Sequence, residues 1–222
     1  MSWFVRITRF ASAHMVYAQH AQNSCGMASM MMVNFKMKKG LMLAGMAAGG
    51  AVSVVPIIGS YVGATLSKAA FDAAVKTEKQ VYAEYTKVTG SPYDGSQYSD
   101  AMKFPAVLKN LGLGDWECVN AGETGFAKAS GKATDSGAPV IGHVVWNGGG
   151  AHFVVIDEHH FGYGCVCDPW DGHVHVTRME DGKAVEYDAG TGPLGWDLGG
   201  KRNTYPAGQK GKFSGWIVRR KT

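Results

Sequence analysis

Cysteine is too sparse for a disulfide framework. Four residues in 222, Cys25, Cys118, Cys165 and Cys167, do not make the dense, paired set of a stapled secreted domain, and a reducing site of synthesis follows. The N-terminus, Met1-Ser2-Trp3-Phe4-Val5-Arg6, lacks the basic stretch and continuous apolar core of a Sec signal peptide, so an exported chain would use a specialised secretion route. Basic residues form no long run apart from Arg219-Arg220-Lys221, and the net charge is only +4, which argues against nucleic-acid binding. No internal repeat or long linker breaks the chain, which reads as a single domain over residues 1–222. Charge is absent altogether between Gly40 and Ser67.

What is present points to a folded chain: 45% of residues are hydrophobic and 18% charged. Residues 3–8 alternate as a strand, and Ala13 to Tyr17 leads into a cysteine loop. A helix over about 25–38, apolar around most of its circumference through Met27, Met30, Met31, Met32, Val33, Phe35 and Met37, belongs in a core. In the uncharged stretch, Gly49-Gly50 and Pro56 divide two helices, about 41–53 and 57–75. Gly45/Gly49 and Gly59/Gly63/Ser67 stand at a spacing that lets helices pack closely in protein or lipid. The expectation is an apolar helical hairpin inserted at 40–75, with membrane contact through residues 41–66 as its other use. A charged helix over 68–89 and another near 99–111 follow. Residues 121–137 read as a surface loop. Strands are expected at 116–120, 140–146, 151–157, 162–168, 173–178, 184–187 and 216–220. Helices first and strands afterwards make an α+β fold.

The chemistry centres on Gln19-His20-Ala21-Gln22-Asn23-Ser24-Cys25-Gly26. A cysteine in the first turn of a helix has the positive end of the helix dipole on its sulfur, which favours the nucleophilic thiolate. An amide N–H from Gln19, brought back by the loop, would donate to an oxyanion there; Gln22 is the weaker choice. Without partners, Cys25 would be a buried small hydrophobe. Among eight histidines, His152 follows Asn147-Gly148-Gly149-Gly150-Ala151 and opens the strand Phe153-Val154-Val155-Ile156, a place from which an imidazole can face a cleft. Asp168 ends the next strand before the turn Pro169-Trp170-Asp171-Gly172, and antiparallel pairing would bring it to the His152 ring. A competing set, His159, His160, Cys165, Cys167, His173 and His175, crowds into one segment. Its alternating Cys165/Cys167 and His173/His175 pairs offer four zinc ligands, though the spacing is unlike a zinc knuckle.

Gln-x5-Cys-Gly, then Gly-x-Pro-Val with a glycine turn and His-Phe-Val-Val, then Asp-Pro-Trp-x-Gly resemble the functional set of papain-like cysteine peptidases. The similarity is greatest to the leader peptidases of bacteriocin exporters and the effector peptidases of bacterial pathogens. It covers about residues 13–38 and 137–176. The resemblance implies Gln19 as oxyanion donor, Cys25 as nucleophile, His152 as general base and acid, and Asp168 as its orienting partner. It also implies a nucleophile helix packed on a C-terminal antiparallel sheet, with no cofactor and no metal. The uncharged insertion departs from the family's minimal core, and without an exporter membrane domain the expectation is a delivered effector or toxin. Its partners would be a protein or peptide substrate and an immunity or chaperone protein. Peptidoglycan amidase or glutamine deamidase activity would use the same machinery. A membrane-active toxin using the apolar hairpin is the non-enzymatic alternative.

Overall fold

The computed structural model describes residues 3–48, 76–189, 195–198 and 203–221. The chain opens with β1 (Trp3–Thr8) and β2 (Ala13–Tyr17), antiparallel from Trp3 opposite Tyr17 to Ile7 opposite Ala13. The segment expected merely to lead into the cysteine loop is thus itself a strand, and Ala13, His14, Val16 and Tyr17 are all buried in it.

The helix that begins at Cys25 does not stop near residue 38. It continues as α1 (Cys25–Ala48) through Gly40 and Gly45. Interior glycines cost about 1 kcal/mol each against alanine, too little to break a helix otherwise rich in Leu, Met and Ala. The first arm of the expected hairpin is therefore an extension of the Cys25 helix as far as Ala48. The second arm, 57–75, lies outside the described residues.

The next helix, α2 (Glu78–Thr89), starts later than the charge pattern implied because Thr77 and Gln80 form a reciprocal capping box. It ends on Gly90, and residues 68–75 of the expected helix lie outside the described residues. A 3-10 turn at Ala101–Lys103 runs into α3 (Phe104–Asn110), with Pro105 in the first turn where its missing N–H costs nothing.

After β3 (Trp116–Asn120), the expected surface loop at 121–137 contains a helix, α4 (Phe126–Asp135). Its buried Phe126, Ala127, Ser130 and Ala133 make one narrow face. With three small residues of four, that face reads as loop composition in the sequence, yet it packs closely on the sheet.

The strands β4 (Val140–Trp146), β5 (Ala151–His160), β6 (Tyr163–Asp168) and β7 (His173–Arg178) follow as a meander. Short β8 (Glu186–Asp188) and β9 (Gly195–Leu198) lead to the long β10 (Lys210–Arg220). The main sheet is antiparallel in the order β3-β10-β4-β5-β6-β7, with β8 also on β10; a small sheet has the order β2-β1-β9. β10 begins six residues before the expected 216 because a bulge between Phe213 and Ile217 hides its periodicity. Gly215 takes φ 90° in that bulge, and a Cβ there would lie 2.5 Å from the Gly122 backbone.

Alternation along the strands divides the interior in two. Ile141, Phe153, Val155, Cys165, Cys167 and Val218 face α1, α2 and α3, while Val140, Val144, Val154, Ile156, Val166 and Ile217 share the other core with α4. The fold is α+β around a large antiparallel sheet. Helix α1 lies on that sheet, fixed to β5 by Ser29 Oγ donating to the Phe153 carbonyl (3.3 Å) and by Lys36 on Asp157 (2.5 Å).

Candidate active site

Two turns on opposite sides of the sequence create the site. Cys25 is the first residue of α1, half-buried. The loop before it is pinned at several points: Ala21 N–H donates to Ser24 Oγ (3.3 Å), Asn23 N–H to the Gly95 carbonyl (3.1 Å) and Tyr93 Oη to the Asn23 carbonyl (2.9 Å). Glu78 of α2 accepts from the His20 amide and from Ser24 Oγ. Gly26 lets this turn approach its neighbours closely, since a Cβ there would fall 2.4 Å from both Phe104 Cζ and Ser99 Oγ. A helix leaves its first backbone N–H groups without intrahelical acceptors, so the Cys25 amide is a donor beside the sulfur.

The second turn supplies the base and its partner. Val155 of β5 pairs with Cys167 of β6, so His152, Val154 and Asp168 share the opposite face of the two strands. The His152 Nε2 lies 2.8 Å from Asp168 Oδ1, with the ring 6% exposed and the carboxylate fully buried. Nδ1 is the ring nitrogen not engaged by Asp168, and Cys25 lies near enough to the ring to favour its charged form. Burial alone would lower the His152 pKa. The Asp168 charge and hydrogen bond, with the contribution of Cys25, reverse this and raise it to about 10. For Asp168, burial would raise the pKa, but the His152 charge and hydrogen bond, the His175 charge and the Tyr187 hydroxyl hold it well below the usual carboxylate range. Both shifts favour the imidazolium–carboxylate form of the pair.

Four donors converge on Asp168. Besides His152, Oδ1 accepts from Trp170 N–H (2.7 Å), and Oδ2 accepts from Tyr187 Oη (2.6 Å) and Tyr205 Oη (2.9 Å). Burial first, then the Asp168 charge, push both tyrosine pKa values up, so the hydroxyls stay protonated as donors. Trp146 stacks on His152 at 5.8 Å and 22°, and Tyr205, beside Trp146 at 5.4 Å, meets the ring edge-on at 6.4 Å. Sequence reading missed these three aromatics. Tyr187 and Tyr205 stand 19 and 37 residues from Asp168 and carry no local motif.

Gln19 is buried beside this loop, but its amide is otherwise engaged. Both N–H groups are committed to the carbonyls of Ala21 (2.8 Å) and Gln22 (2.9 Å), which shape the turn before Cys25. Its backbone N–H donates to the Pro169 carbonyl (2.7 Å), tying the cysteine loop to the turn after Asp168. The Gln19 oxygen is buried without a hydrogen-bond partner among the described residues. Gln22 contributes only its carbonyl to this arrangement, its side chain being exposed.

The four-ligand zinc alternative is split by strand register. Asp168 pairs with His173 and Val166 with His175, whereas Cys167 and Cys165 pair with Val174 and Val176. The cysteines and histidines of the hairpin therefore lie on opposite faces of it. His175 bonds Asp171 (2.9 Å), His159 meets Thr134 (2.9 Å), and His160 pairs with Glu158 (3.0 Å).

A cleft of about 250 Å³ is walled by Ser99, Met102, Cys118, His143, Phe153 and Trp216. Phe153 follows His152, and Ser99 is the residue that Gly26 packs against.

The pH dependence of stability has a defined sign. His152 has its pKa raised from 6.5 to about 10 on folding, so its stabilisation is complete below the unfolded value and lost as pH rises toward the folded one. Asp168 is shifted downward from 3.8, so its contribution is complete above that value and lost as pH falls below it. The Tm of the wild type is expected to fall between about pH 7 and 10 more steeply than that of Asp168→Asn, because the variant lacks the charge that raises His152. Parallel Tm profiles for the two proteins would contradict the ion pair.

No family model matches the chain, and no curated protein matches it.

Proposed function

We propose that the chain is a thiol-dependent amide hydrolase of papain-like organisation, cleaving a protein or peptide. The observation that carries the reading is the convergence of three side chains from separate elements: Cys25 opening α1, His152 at the start of β5 and Asp168 at the end of β6. The His152–Asp168 bond of 2.8 Å leaves Nδ1 for the thiol.

In the proposed reaction the Cys25 sulfur attacks the carbonyl carbon while the Cys25 N–H donates to the developing oxyanion. The Gln19 amide would be a second donor only after releasing the Ala21 or Gln22 carbonyl. Imidazolium Nδ1–H then protonates the leaving amine, giving a thioester on Cys25 and neutral His152. The neutral Nδ1 then takes a proton from the water that attacks the thioester, and collapse releases the acid and expels the Cys25 sulfur as thiolate, restoring the thiolate–imidazolium pair. Throughout, Asp168 holds the ring orientation and stabilises its cationic form. The cleft, with Phe153, Trp216 and Met102 in its wall, suits an apolar substrate side chain.

The test is cleavage of casein by the purified chain. Defined new termini are expected, and they should disappear after alkylation of Cys25 with iodoacetamide. Cleavage that survives complete Cys25 alkylation would refute the assignment.

A further inference from the structure

The thiols of β6 that the sequence offered as zinc ligands face a different imidazole from those expected. Strand alternation turns Cys165 and Cys167 away from His173 and His175 and into the core under α1, where both are buried. His14 of β2 and Asp157 of β5 are also buried. The Cys167 sulfur, a His14 ring nitrogen and an Asp157 carboxylate oxygen all lie within 4.8 Å of one another. Separate strands thus bring a soft, a borderline and a hard donor to one closed point.

The backbone is shaped for this meeting. β5 slips register against β6 between Ile156 and Glu158, which leaves Asp157 as the extra residue of a bulge. A bulge re-aims the side chain it carries. The surrounding contacts are those that orient ligands. His14 Nδ1 meets Asp157 Oδ2 (2.5 Å), while Ser12 Oγ holds Nε2 (2.9 Å) and so keeps Nδ1 toward the carboxylate. Lys36 takes the other carboxylate oxygen, Oδ1 (2.5 Å), and the Asp157 carbonyl (2.7 Å), leaving Oδ2 on the side of the ring. An imidazole fixed by its second nitrogen and a carboxylate anchored by its second oxygen are the supports of a metal site.

We propose that Cys167, His14 and Asp157 bind a zinc-type divalent cation, with Cys165 on the same strand face available for the fourth position. Sulfur, nitrogen and oxygen donors together suit zinc, whereas magnesium and calcium take oxygen shells. Bonds of about 2.0–2.3 Å set tetrahedral donors about 3.3–3.8 Å apart, so the ion enters as the His14 ring and the carboxylate separate by about 1 Å. In the metal-free chain the hydrogen-bonded proton of the His14–Asp157 pair holds that place. Binding expels this proton and those of the thiols to solvent, so affinity rises with pH. Two thiolates and the carboxylate then offset the dication and Lys36 together. The ion ties β2 to β5 and β6, and β2 runs directly into the loop before Cys25. It fastens the base of that loop and takes no part in the chemistry.

Titration of the full chain with Co²⁺ tests the site independently of any hydrolase activity. Thiolate-to-cobalt charge-transfer absorption is expected, saturating at about one ion per chain. It should persist in Cys25→Ala/Cys118→Ala, which keeps only the two thiols of β6, and fall by about tenfold or more in Cys167→Ser. Zn²⁺ should displace the cobalt, and it should raise the Tm of the wild type and the double variant but not of Cys167→Ser. Absence of the charge-transfer absorption from the wild type, its loss in Cys25→Ala/Cys118→Ala, or an undiminished signal in folded Cys167→Ser would each overturn the proposal.

Discussion

His152→Ala is expected to lower kcat for peptide cleavage by about 10³- to 10⁴-fold, with KM changed little. The ring has two duties in the proposed cycle, protonating the leaving amine and activating water. His143, on the neighbouring strand, has its Nδ1 engaged with Ser214 at 2.8 Å; burial first, then the His152 charge, lower its pKa. It would be a poor substitute proton donor. Asp168→Asn should cost less, about 10²-fold, because Trp170, Tyr187 and Tyr205 still fix the position of the side chain that faces the ring. Steady-state kinetics on both variants, with matching circular dichroism, checks the order. A His152→Ala rate within tenfold of wild type would remove the histidine from the mechanism.

The second large effect lies away from the reacting atoms. Asp157→Ala should destabilise the fold by about 3–5 kcal/mol, a large part of the roughly 5–15 kcal/mol typical of a domain. Asp157 is buried between His14 Nδ1 (2.5 Å) and Lys36 Nζ (2.5 Å), and its carbonyl also accepts from Lys36 (2.7 Å). Burial would raise its pKa, yet the Lys36 charge and the His14 hydrogen bond hold it well below the usual range. Removing the carboxylate takes the counter-charge from His14 in a closed site and leaves Lys36 only Glu158, 3.7 Å away. Because Lys36 is on α1 with Cys25, and Asp157 is on β5 with His152, the same link sets how the nucleophile helix sits on the histidine strand. A fall in kcat is therefore expected beside the fall in stability. Urea unfolding provides the measurement, and adding Lys36→Met to Asp157→Ala should recover part of the loss. A change under about 1 kcal/mol in the single variant would show that the link is not structural.

The sequence made some parts of this legible because their signals are local. Cys25 before an apolar helix, His152 after a glycine run and Asp168 before Pro169-Trp170 each mark the end of an element, and pairing of β5 with β6 brings the last two together. The α+β order followed from where charge, glycine and alternating valines fall. Other parts depend on contacts that no short window contains. Tyr187, Tyr205 and Trp146 enclose the His152–Asp168 pair from distant positions, and the His14–Asp157–Lys36 link spans three elements. Helix α4 was hidden because Ala127, Ser130 and Ala133 look like a loop until the sheet beneath them is known. Gln19 was legible as a residue that matters but not in its orientation, since the loop carbonyls that hold its amide are fixed by Glu78, Tyr93 and Gly95 from elsewhere.

Four free cysteines allow a direct test of an activated Cys25–His152 pair, because Cys25 combines partial exposure with a neighbouring His152, whereas the cysteines beside His14 are buried. Cys165 and Cys167 are buried, and burial pushes the Cys118 thiol up to about 11. The chain should be treated with a peptidyl electrophile that captures thiolates, then digested and mapped by mass spectrometry, in wild type and in folded His152→Ala. Modification confined to Cys25 in the wild type, and slowed about 10²-fold or more in the variant, is the result expected of an activated pair. Labelling spread over the four cysteines, or labelling of Cys25 at the same rate without His152, would contradict it.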